Sequence, residues 1–160
     1  MNMKDKFTSE EWQSLLKAPM LVSYAVAGAA PSREEGFIQE MSAVADAIIE
    51  GGQSAAKNSL LSAVVTDITA NAEDEQRGPT EKLSVDEIKE KALDTCRAAA
   101  GLLQTKVDAK DADEYKRWVL GVAHRVASAA KEGGLFGFGG TQISGSEVEI
   151  INDIGTALNV

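Results

Sequence analysis

The stretch Glu114-Tyr115-Lys116-Arg117-Trp118-Val119-Leu120-Gly121-Val122-Ala123-His124-Arg125-Val126-Ala127-Ser128-Ala129-Ala130-Lys131 decides how the rest of the chain is read. Trp118, Val119, Val122, Val126 and Ala129 recur at three- and four-residue intervals, which puts them on one stripe of a helix. A helix over 114–131 follows, and Asp111 or Asp113 supplies its cap. Beyond it lies Gly133-Gly134-Leu135-Phe136-Gly137-Phe138-Gly139-Gly140, which breaks the periodicity. Ser144 with Glu147 then forms the Ser-x-x-Glu capping box of a last helix that buries Ile150, Ile151, Ile154 and Leu158.

The same reading extends towards the N-terminus. Thr8-Ser9-Glu10-Glu11 is an N-cap with first-turn acids, and Trp12, Leu15 and Leu16 follow at helical spacing. Pro19 removes a backbone donor, so a kink or restart is expected before the segment Met20 to Ala30. Ser32 with Glu35 opens a helix with the stripe Phe37, Met41, Val44 and Ile48, which Gly51-Gly52 is expected to stop. Ser59 to Ala72 forms another amphipathic segment through Leu60, Leu61, Val64, Val65 and Ile68, with strand as the minor alternative. The acidic stretch 71–82, with Gly78-Pro79, is the longest connector, and Ser84 with Glu87 caps a helix that runs to about Val107. The expectation is a single all-α domain over residues 1–160, a compact bundle of about six or seven helices.

Composition narrows the function. The chain has 160 residues, 16 Lys+Arg against 25 Asp+Glu and a net charge of -9, with no basic run, so nucleic acid is excluded as a partner. No stretch is long and apolar enough to be read as a transmembrane segment, and Met1 to Phe7 lacks the apolar run of a signal peptide. A lone cysteine, Cys96, fits a reducing compartment, and the cytoplasm is the expected location. Cys96 sits in the stripe Leu93, Cys96, Ala100, Leu103 and is expected to be a small buried residue rather than a nucleophile.

The only histidine, His124, has no carboxylate three residues before it, so the Glu-x-x-His pairs of a helical di-iron site are absent. Its expected role is a partly buried helix residue with a satisfied ring nitrogen. The run 133–140 lacks the Lys-Ser/Thr of a phosphate-binding loop. No twelve-residue stretch has the alternating acids of an EF-hand.

An internal repeat gives more. Val22 to Ala30 lies on Val122 to Ala130 at an offset of 100 with five of nine residues identical. Past the intervening loops the offset becomes 107, and Glu40, Val44 and Asp46 fall on Glu147, Ile151 and Asp153. The two pseudo-repeats, 20–50 and 115–158, read as a duplicated helix-loop-helix whose second copy has an insertion at the glycine and phenylalanine run.

The pattern Val126-Ala127-Ser128-Ala129-Ala130-Lys131-Glu132-Gly133, then Ile143-Ser144-Gly145-Ser146-Glu147 and Ile154-Gly155-Thr156-Ala157-Leu158, resembles the repeat of the tellurite-resistance TerB family. The likeness is fuller over Val122 to Leu158 than over Val22 to Asp46. It implies a two-half, all-helical, acidic stress-response domain that acts as a non-enzymatic binding or scaffold module, with other stress-response proteins or a second copy of itself as partners.

The resemblance also implies a divalent cation held by turn acids. Glu132 stands at the turn, Glu147 matches the Ser-x-x-Glu acid, and Glu40 matches it in the first half. There Ala30-Pro31-Ser32 replaces the Asp-Gly turn, with Glu34 and Glu35 nearby. Glu40, Glu132 and Glu147 are therefore the candidate metal ligands, each of which also reads as a cap or a solvated charge at a helix start. Two other functions compete. One is a protein-interaction module that uses Leu135, Phe136 and Phe138 as its partner surface, unless these side chains plug the core. The other is a carboxylate-dependent enzyme.

Overall fold

The computed structural model describes residues 2–29, 34–71, 84–132 and 145–160, with side chains described for 2–28, 42–71, 84–129 and 147–160. After a short 3₁₀ turn at Met3–Lys6, these residues form six α-helices: α1 (Ser9–Ala29), α2 (Glu34–Ser54), α3 (Leu60–Ala70), α4 (Val85–Lys106), α5 (Ala109–Glu132) and α6 (Gly145–Leu158). Among the described residues there is no strand, and no helix is long and apolar enough to cross a membrane. The protein is an all-α bundle.

Local chemistry explains where the helices begin. The Thr8 and Glu11 pair is reciprocal: Glu11 N–H donates to Thr8 Oγ1 at 3.2 Å and Thr8 N–H donates to Glu11 Oε2 at 2.8 Å. Ser84 and Glu87 form the same box at the start of α4. Ser59 caps α3 by accepting from Ser62 N–H. For α5 the expected caps give way to an earlier one. Asp108 Oδ1 accepts from Asp111 N–H at 2.8 Å, so the helix starts at Ala109. Asp111 and Glu114 instead face the beginning of α3, where they accept from Leu60 N–H and Ala56 N–H.

The expected restart after Pro19 and the expected stop at Gly51-Gly52 are both absent, each for a visible reason. α1 runs unbroken through Pro19. The missing Pro19 N–H would have bonded the Leu15 carbonyl, and the Tyr115 hydroxyl donates to that carbonyl at 2.7 Å in its place. α2 continues past Gly51-Gly52 to Ser54. A Cβ on Gly51 would lie 2.3 Å from Trp118 Nε1, and one on Gly52 would lie 2.8 Å from a Val65 methyl. These glycines admit neighbouring side chains rather than end the helix.

α1 and α5 form the centre. Trp12, Leu15, Val22 and Val26 of α1 share one core with Tyr115, Val119, Ala123 and Val126 of α5, all buried. Each fully buried Leu, Val or aromatic side chain contributes about 1.5–3 kcal/mol. α4 lies along α1 as α2 lies along α5, and α6 sits on α4 as α3 sits on α2. By packing, then, α2 corresponds to α4, whereas by sequence register it corresponds to α6.

Candidate functional site

The three expected cation ligands all stand on helices, two of them at helix ends. Glu147 lies in the first turn of α6 and is 5% exposed, the one buried carboxylate among the described residues. Glu40 is on α2 and Glu132 ends α5, but their side chains lie outside the described residues. Leu135, Phe136 and Phe138 lie wholly outside them, as does the connector from 72 to 83. Among the described residues no three His, Cys, Asp or Glu side chains converge closely enough to hold a metal ion. Glu147 is thus the single anchor around which such a site can be assessed.

The backbone frames that anchor. The end of α1 and the start of α4 come together, since a Cβ on Gly28 would stand 3.3 Å from Val85 Cγ1. α6 lies along α4, and Lys89 pairs with Asp153 at 3.5 Å. Ile150, Ile151 and Ile154 bury the inner face of α6, which draws the first-turn Glu147 inward with them. Val85 and Val148 remain exposed.

Elsewhere the perturbed polar groups serve the architecture. Lys106 Nζ lies 2.6 Å from Glu11 Oε2, and this bond, with the one from Thr8 N–H, holds the Glu11 carboxyl below its ordinary range. Lys4 Nζ lies 2.8 Å from Asp67 Oδ2, which also accepts from Trp12 Nε1 at 2.8 Å. The Lys4 bond chiefly, and the indole bond with it, lower the Asp67 pKa against the opposing effect of burial. Burial pushes the Cys96 thiol up to about 12, which leaves it protonated and poorly nucleophilic. Tyr115 is fully buried and its pKa is raised well above the usual value, again by desolvation. His124 departs from expectation: it is exposed on α5 rather than partly buried.

Two depressions lie away from the Glu147 corner. One, of about 490 Å³, is lined by Lys4, Lys6, Trp12, Ser59 and Asp67. The other, of about 280 Å³ at the junction of α4 and α5, contains Gln104, Asp113, Lys116 and Asn159. Lys116 is buried there at 8% exposure, a feature absent from the expected site. When the repeat's offset of 100 is carried back beyond its first residue, Lys116 falls on Leu16, an apolar core position. Comparison with protein-family models, curated proteins and solved structures finds no match to this chain.

Proposed function

We propose that the chain is a TerB-like, non-enzymatic binding or scaffold module of metal or tellurite stress, working in the cytoplasm with other stress-response proteins. In this reading its turn acids hold a divalent cation. The observation that carries it is Glu147: a carboxylate drawn indoors at a helix start, where the family pattern has its acid. Hard divalent cations take several oxygen ligands, and a carboxylate held in place by the packing of its own helix is already ordered for that role. Glu132 and Glu40 complete the proposed ligand set.

The non-enzymatic part of the proposal is supported by how the reactive groups are engaged. Cys96 is a buried thiol, the Tyr115 hydroxyl donates to a core carbonyl, and Glu11 and Asp67 are tied to lysines that join distant segments.

Titration with calcium, manganese or zinc, read as melting temperature, tests the proposal. A bound cation at about a hundred times its Kd stabilises by about 2.7 kcal/mol, which for a domain of this size raises Tm by roughly 5–10 °C. Glu147→Gln and Glu132→Gln should each reduce the rise. No shift with any of the three cations, or a shift unchanged in both variants, would overturn the cation site.

A further inference from the structure

We draw no further inference here: the strongest candidate, the cavity of about 490 Å³ between the turn at Met3–Lys6, Trp12 of α1 and the face of α3 that carries Ser59 and Asp67, carries nothing, because Lys4 and Asp67 already pair with each other, Lys6 is a solvated surface charge, and nothing in its lining calls for a ligand.

Discussion

α1 and α5 start 100 residues apart and are buried in the same rhythm, yet they present different chemistry. From residue 11 to 28, the degree of burial matches that of the residue 100 further on at 15 of 18 positions. The departures fall at 18, 24 and 25, where buried Ala18 and Ala25 oppose half-buried Trp118 and exposed Arg125, and half-buried Tyr24 opposes exposed His124. Burial is set by the helical period and by the shared central position, so the two helices carry the same inward stripe. What fills the stripe is free to differ. Leu15 has Tyr115 as its counterpart, and Leu16 has Lys116. The central pair therefore consists of one helix with an interrupted backbone ladder and another with the hydroxyl that repairs it.

The largest expected effect is at Trp118, where α5 departs from α1. Gly51→Ala would drive a Cβ into the indole, which donates to the Ala47 carbonyl at 3.2 Å. The expected loss is about 3 kcal/mol, measured by urea unfolding. Combining it with Trp118→Ala should cost less than the sum of the two single changes, since the clash disappears with the ring.

A smaller effect is expected where the helices touch. Tyr115→Phe leaves the buried Leu15 carbonyl without its donor, at a cost of about 1–2 kcal/mol by the same unfolding measurement.

The smallest concerns the start of α1, tied by Asp67 to the N-terminal segment and by Glu11 to α4. Both carboxyls are lowered from ordinary values of 3.8 and 4.5. Their contribution is therefore complete above those values and lost as pH falls through the lower native ones. Asp67→Asn should flatten that acid limb of the stability curve and remove at most about 1 kcal/mol at neutral pH, because the carboxylate is only part-buried.

Much of the fold was legible because its signals were local. Ser84 with Glu87, Thr8 with Glu11 and the stripe from Val119 to Val126 all lie within one helix, where spacing specifies geometry. The restart at Pro19 and the stop at Gly51 do not occur because the roles of these residues are set by partners far along the chain. A hydroxyl at 115 excuses the proline, and an indole at 118 requires the glycine. The α5 start was misplaced for a similar reason: Asp111 looks like a cap but serves the beginning of α3.

The candidate site was less legible still. Ser-x-x-Glu places Glu147 at a helix start but does not say whether other acids meet it there. Lys116 is one of several polar residues on an amphipathic helix, and only tertiary packing sets it apart by burying its stem. The repeat also carries two relations that sequence cannot separate, since α2 shares a register with α6 but a packing role with α4.

At the centre of the fold, the Tyr115 hydroxyl replaces the bond that Pro19 removes and so joins the two central helices. A double-mutant cycle on Pro19→Ala and Tyr115→Phe reads that replacement out. Pro19→Ala restores an N–H for the Leu15 carbonyl, so Tyr115→Phe is expected to cost about 1 kcal/mol less in the Pro19→Ala background than in the native chain. Strict additivity of the two substitutions would contradict it.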